Sequence, residues 1–370
     1  MKSEAVPLRR DVFVLGTIHH LHASCEGYTF AHVRKLLEAY GPDLVCLEIR
    51  PHDLAAAQFG YSPPEMTQVV LPWAEGCGVS VAGIDWWEDS TSAYEEAVRR
   101  IRATDEGRAV LERMEKAERD IYGEPFERLC GTYRGANSPE VQARFRSEHQ
   151  LEAQVLREGL LTKHWAKRND HMARLVTEAL IAHDAHRAIV VTGCEHKYAI
   201  EERLADLPWV HLVQLEDFLT GELTLDPEEQ LDSERLFIFQ KVESPQANTD
   251  PDSVDLTGVA EKIEQGLSRA PGDAELLYYR GLYHYMTRDY DKALADFEGA
   301  AAGRERLVLG MLPLAQIIPL RLGQMYDLLG RRHEAIEQYG LLLTADGRFA
   351  RRAQQLIEKP FTRPGKASTA

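Results

Sequence analysis

DVFVLGTIHH, from Asp11 to His20, and AIVVTGCEH, from Ala188 to His196, share one grammar: an aliphatic, β-branched run, a glycine, two residues and a histidine. In the first stretch the four-residue unit is Gly16-Thr17-Ile18-His19, in the second Gly193-Cys194-Glu195-His196. Unbroken apolar runs of this kind read as buried strands. A glycine at such a strand end tolerates φ > 0 and close backbone approach. A histidine just beyond it sits at the mouth of the sheet, so these two strand ends organise roughly the first 220 residues.

Working outward from Asp11, the polar segment Leu21 to Gly27 leads into a helical pattern from Thr29 to Tyr40, stopped by Gly41-Pro42. DLVCLEIR, Asp43 to Arg50, is a second apolar run carrying Glu48 and Arg50. Strand, helix and strand in about forty residues make a βαβ unit, which implies a parallel sheet. A helix around Pro64 to Gly76 and a strand from Val79 to Asp85 make a third unit, followed by Trp86-Trp87. From about residue 90 to 182 the pattern is helical, which reads as an insertion forming a lid or side subdomain. The sheet resumes at Ala188, passes through a helix from Lys197 to Asp206 and ends with Val210 to Leu215. Leu236 to Gln240 reads as one further edge strand.

Ser244 to Leu256 is acidic, polar and proline-containing, the composition of a linker. Beyond it, aligning Gly281 with Gly323 also aligns Ala293 with Ala335, Phe297 with Tyr339 and Ala300 with Leu342. That pattern resembles the tetratricopeptide repeat, in which small residues let two antiparallel helices touch. The two glycines are 42 residues apart rather than the usual 34, placing about eight inserted residues around Arg304 to Pro313. A plain helical cap uses the same helices. The expected fold class is therefore α/β, a mostly parallel sheet with flanking helices and a helical insertion over residues 1–243. A linker over 244–256 and an all-α, tetratricopeptide-like domain over 257–370 complete it.

The 43 basic and 59 acidic residues give a net charge of −16. This argues against nucleic acid or an anionic membrane as the main partner, because counterion release needs stripes of Lys and Arg. Five cysteines, with no CxxC pair, fit neither a disulfide framework nor a zinc ribbon and point to a reducing cytoplasm. No apolar stretch reaches the roughly 20 residues of a membrane span, and the charged N-terminus does not read as a signal peptide. The GxSxG, HExxH and GxxxxGK[ST] patterns are all absent, which weakens serine-hydrolase, zincin and nucleotide-hydrolase readings. Cys194 beside His196 raises a thiol nucleophile, but a cysteine at a buried strand end is more often an inert small hydrophobe.

In open parallel sheets, ligands bind outside the carboxyl ends of the strands. Four strands here end in polar groups: His19 and His20, Glu48 and Arg50, Asp85, and Glu195 with His196. Imidazoles and carboxylates converging there can hold a divalent metal or act as a metal-free acid and base. The helix HWAKRNDHMARLV, His164 to Val176, adds Arg168, Asn169 and His171, with Arg168 and His171 at i, i+3 on one face.

The sequences GTIH and GCEH, the ExR of Glu48 and Arg50 in LEIRP, and RNDHM at Arg168 to Met172 together resemble the motif set of the TraB/Tiki family. That family lies within the wider erythromycin esterase-like and ChaN-like superfamily, and the resemblance covers roughly residues 11 to 217. It implies an α/β domain whose paired GxxH histidines and a glutamate form the active site. The animal branch is associated with metal-dependent peptide cleavage, and bacterial pheromone-shutdown relatives with reducing levels of a signalling peptide. Carried over by position, the implied residues are His19, Glu48, Arg168, Asn169 and His196. Relatives are usually membrane-anchored, whereas this chain shows no span and carries a helical tail.

The leading expectation is a metal-dependent hydrolase of a peptide or another amide or ester. His19, Glu48 and His196 would hold a divalent metal (manganese, cobalt or zinc), Glu48 or Glu195 would take a proton from bound water, and Arg50 or Arg168 would stabilise the oxyanion. A metal-free His/Glu esterase and a non-catalytic scaffold, sensing a small ligand such as haem, are the alternatives. The expected partners are a peptide or small-molecule substrate and a protein on the helical repeats.

Overall fold

The computed structural model describes residues 9–23, 25–59, 62–87, 99–122, 126–155, 160–303, 307–308, 312–344 and 347–364. Its first compact unit is Met1–Leu225 and its second Asp226–Ala370.

In the first unit β1 (Arg10–Thr17), β2 (Leu44–Leu47), β3 (Ser80–Gly83), β4 (Arg187–Gly193) and β5 (Val210–Val213) form one parallel sheet in the order β3-β2-β4-β1-β5. The three central strands are buried almost throughout and the two edge strands much less so. Continuous Val, Ile and Leu runs are what such doubly covered strands require. The two histidine-bearing strands are direct neighbours, pairing from Asp11 with Arg187 to Thr17 with Gly193. Both therefore run out at the same edge. On the far side of β4, Leu47 of β2 pairs with Val191, and Glu48 follows at once.

The longer helices of this unit are α1 (Phe30–Tyr40), α2 (Asp105–Tyr122), α3 (Pro139–Val155), α4 (Leu160–Ala182) and α5 (Cys194–Ala205). One face of the sheet, with Val12, Val14, Cys46, Ala188 and Val190, packs against Met172, Val176 and Leu180 of α4 and Ile200 and Leu204 of α5. Each such side chain contributes about 1.5–3 kcal/mol on full burial. On the other face Phe13 meets Tyr40 and Phe218, with ring centroids 5.5 and 5.0 Å away. The insertion expected over residues 90–182 is helical where described, but its last helix is no lid. The apolar stripe of α4 is a layer of the sheet core, and that is what brings Arg168 and Asn169 to the strand ends. Residues 90–98 lie outside the described residues.

The second unit comprises α6 (Pro227–Val242), α7 (Val259–Arg269), α8 (Ala274–Met286), α9 (Tyr290–Ala300), α10 (Leu314–Leu328), α11 (Arg332–Gly340) and α12 (Gly347–Glu358). The strand expected at Leu236 to Gln240 is instead the end of α6. Asp226 accepts from the amides of Glu228 and Glu229, the Glu229 carboxylate accepts from the Asp226 amide, and Pro227 opens the first turn. This capping box nucleates a helix that overrides the strand-like run Leu236-Phe237-Ile238, all three buried. The segment Ser244 to Leu256 lies within this unit as the short helices Pro245–Thr249 and Pro251–Ser253, with Ala247 and Pro251 buried. Of the stretch read as an insertion, Leu307–Val308 pairs antiparallel with Leu312–Pro313, and the rest up to Gly310 and Met311 lies outside the described residues. Among the described residues all five cysteines are free thiols, and no helix is long and apolar enough to cross a membrane.

Candidate active site

The glycines of the two GxxH motifs matter for what they lack. Neither has a positive φ, and Gly193 stands at φ −53°. A Cβ on Gly193 would lie 2.7 Å from Nε2 of His19, and one on Gly16 would lie 2.9 Å from Cα of Cys194. The left-handed residue is His19 itself, at φ 50°. Backbone strain of that kind on a non-glycine residue costs of order 1–3 kcal/mol and clusters at functional sites.

What holds His19 is Glu65. Nδ1 of His19 donates to Oε1 of Glu65 at 2.8 Å, and the Thr17 hydroxyl donates to the same oxygen at 2.6 Å. Glu65 is fully buried, whereas a third (34%) of the His19 side chain is open. His196, on the first turn of α5, is held from the other side. Asn169 donates through Nδ2 to the carbonyl of Trp165 at 3.0 Å, which turns its Oδ1 to Nδ1 of His196 at 2.7 Å. The indole of Trp165 stacks on the His196 ring with centroids 4.1 Å apart.

With both Nδ1 atoms committed as donors, each neutral imidazole presents a lone pair at Nε2. Both Nε2 atoms face Glu48: His19 Nε2 is 3.9 Å from Oε2, and His196 Nε2 is 3.6 Å from Oε1. Oε2 of Glu48 accepts from the Thr192 hydroxyl at 2.9 Å and the Gly193 amide at 2.7 Å. Oε1 accepts from Nη2 of Arg168 at 2.7 Å, and Nε of the same guanidinium donates to Asp85 at 2.8 Å.

The electrostatics follow from this wiring. Burial disfavours the charge on Glu48, but His196, Arg168, His19 and the Gly193 amide outweigh it and hold the carboxyl well below the usual range. Burial also works against a charged His19, yet the Glu65 carboxylate, with help from Glu48, raises its pKa to about 9. For His196 burial wins and lowers the pKa to about 3. Burial, then the neighbouring Glu48 charge, raises the pKa of Glu195. Burial pushes the Cys194 thiol upward as well, behind its contact with Cys130, so no thiolate forms there.

His19, Glu48, Arg168, Asn169 and His196 are thus brought together, and Glu195 lies within reach of the His19 and Glu48 charges. Arg50 is not bonded to Glu48. It pairs with Asp53, lies over the Trp87 ring at 4.5 Å, and lines a pocket of about 290 Å³ with Glu48, Asp85 and Trp87. Arg168 bridges the two carboxylates, through Nη2 to Glu48 and Nε to Asp85. His171 stacks on Trp86 with ring centroids 4.0 Å apart. His20 is exposed, as is the His52 side chain. Sequence reasoning missed Glu65, Thr192 and Trp165. Glu65 follows Pro63-Pro64 at a helix start with no strand-end signature, whereas Trp165 stands four residues before Asn169, a helical spacing that pointed to it.

The donor chemistry fits a divalent cation: two imidazole lone pairs and one remaining lone pair on Oε1 of Glu48, with both Nδ1 atoms tied to acceptors as in metal-bound histidines. It falls short in closure. Among the described residues no three His, Cys, Asp or Glu side chains stand at the spacing of a ready-made metal centre. No family model, curated protein or solved structure matches the chain.

Proposed function

We propose that the chain is a hydrolase of amide or ester bonds, a divergent relative of the TraB/Tiki proteins, working at the edge shared by β1, β2 and β4. The observation that carries this reading is geometric: with each Nδ1 tied to an acceptor, both Nε2 atoms and a carboxylate oxygen are turned toward one another. Three electron-rich atoms in that arrangement favour a positive occupant. His19, His196 and Oε1 of Glu48 would hold a divalent cation, which lowers the pKa of a bound water toward neutrality. Arg168, Thr192 and Gly193 keep Glu48 ionised. Glu65 and Asn169 hold each imidazole in the tautomer that leaves Nε2 free. Glu195, with its raised pKa, is suited to carry a proton beside the site. Arg50 supplies a cation at the wall of the adjoining pocket for a substrate oxygen.

A metal-free reading is favoured by one observation, the His19–Glu65 pair, in which a proton on Nε2 of His19 serves as the positive group. Chelation separates the two. We expect hydrolysis of a panel of fluorogenic peptides and esters to disappear with EDTA and return with manganese, cobalt or zinc. Hydrolysis that ignores the chelator assigns the chemistry to the histidines alone. If His19→Ala and His196→Ala leave every hydrolytic activity intact, the non-catalytic reading takes its place.

For the second unit we propose tetratricopeptide-like helix pairs that grip a protein partner. The support is steric: a Cβ on Gly281 would lie 2.5 Å from the Phe297 ring and one on Gly323 2.3 Å from the Tyr339 ring. These are the positions that the repeat alignment pairs.

A further inference from the structure

Behind His196 the helices α3, α4 and α5 line a second, open pocket of about 260 Å³. Its aromatic wall is Trp165, His149 and Tyr198, with His149 centred 4.7 Å from the indole and 5.6 Å from the phenol. Nδ1 of His149 lies 2.7 Å from the Tyr198 hydroxyl, and burial lowers the pKa of this histidine to about 4, so the ring is neutral. A wall of that kind accepts the face or edge of another ring.

The pocket's charged lining is two guanidinium groups, Arg146 and Arg203, and one carboxylate, Glu202. Nε1 of Trp165 is buried without an acceptor in hydrogen-bonding geometry; its polar neighbour is the Tyr198 hydroxyl, itself 2.7 Å from Nδ1 of His149. An unpaired buried donor is destabilising, and an incoming oxygen relieves it. Arg146 and Arg203 stand at the rim, paired with Glu202 and Asp170, whose side chains are 49% and 64% exposed. Exposed pairs of that sort contribute little, so either guanidinium can exchange its partner for a ligand anion.

We propose that this pocket binds an aromatic carboxylate the size of one amino-acid residue. The ring lies against Trp165 and Tyr198, and the carboxylate faces Nε1 of Trp165, Arg146 and Arg203. The volume is at the small end for ligand sites and suits a group of that size. Trp165 and Asn169 line this pocket and also support His196, so its occupant touches the wall of the candidate active site.

The test is equilibrium binding of N-acetyl-L-phenylalanine by calorimetry, which needs no hydrolysis and so stands apart from the activity proposed above. We expect a single saturable site, at least fivefold weaker binding of N-acetyl-L-phenylalaninamide, and none of N-acetylglycine. Ala166→Trp fills the pocket from its exposed rim and is expected to weaken binding at least tenfold. Ala143→Trp, equally bulky and outside the lining, leaves binding unchanged. Trp165→Phe keeps a ring and removes the donor, so the preference for acid over amide shrinks toward one. It decides the matter should Ala166→Trp fail to fold by circular dichroism. Absence of saturable binding to the wild type, undiminished binding by folded Ala166→Trp, or an unchanged acid-to-amide ratio in Trp165→Phe overturns the proposal.

Discussion

His19 and Glu65 are joined by a 2.8 Å hydrogen bond between an imidazole on a left-handed backbone and a carboxylate sealed in the core. That bond fixes the tautomer of His19 and supplies the charge that raises its pKa. In metal-free protein, Glu65→Gln removes the charge while keeping the shape. The pKa of His19, followed by nitrogen-detected NMR, is expected to fall from about 9, because burial is then opposed by the Glu48 charge alone. Metal affinity or activity should drop about 10–100-fold, the usual cost of losing an outer-shell partner. An unshifted His19 titration would show that Glu65 does not control it.

Gly193→Ala and Gly16→Ala separate function from stability. The new Cβ at 193 meets a side-chain nitrogen of His19, which can swing away, so activity should fall by roughly a hundredfold with about 1 kcal/mol of stability lost. At position 16 it meets backbone of Cys194, which cannot give, and we expect about 2–3 kcal/mol of destabilisation in urea melts. Equal stability losses for the two would contradict this division.

Arg168 joins two buried carboxylates, Glu48 and Asp85. Arg168→Gln removes the one guanidinium that both carboxylates share and is expected to cost about 3 kcal/mol, the low end for a broken buried pair because the guanidinium is 20% exposed. Arg168→Lys should recover only part of it, since an ammonium lacks the fork that reaches both acids. Urea unfolding of the two variants checks the order.

His22 is buried and neutral, donating through Nδ1 to the Tyr28 carbonyl and accepting at Nε2 from the Ile18 amide. Burial lowers its pKa from 6.5 to about 4. The unfolded chain therefore binds the extra proton first as pH falls. Its contribution is complete above pH 6.5 and is lost progressively down to about pH 4, in total about 3 kcal/mol. Unfolding midpoints between pH 7.5 and 4.5 should show this slope, and His22→Gln should flatten it.

In the second unit, Gly323→Ala drives a Cβ into the Tyr339 ring and should cost about 1–3 kcal/mol. Gly330→Ala adds no clash but sits at φ 74°, where alanine costs about 1 kcal/mol. Thermal melts of both variants test whether close helix contact, and not backbone freedom, is the tighter constraint.

The sequence alone determined what depends on local pattern. Unbroken aliphatic runs made buried parallel strands, and the repeated glycine-to-histidine spacing singled out His19 over the exposed His20. Gly281 and Gly323 stood out because small residues recur opposite aromatic ones. Where two local signals competed, as between the capping box at Asp226 and the run Leu236-Phe237-Ile238, pattern reading chose the wrong one. Only the tertiary structure decided how distant side chains meet. Glu65 lies 46 residues from His19, and Arg168 lies 120 from Glu48. No periodicity encodes such contacts, because they depend on the path the chain takes between them and on which buried charge must be compensated. The stripe of α4 had to pack on the sheet before Arg168, Asn169 and Trp165 could stand around two histidines whose strands were already side by side.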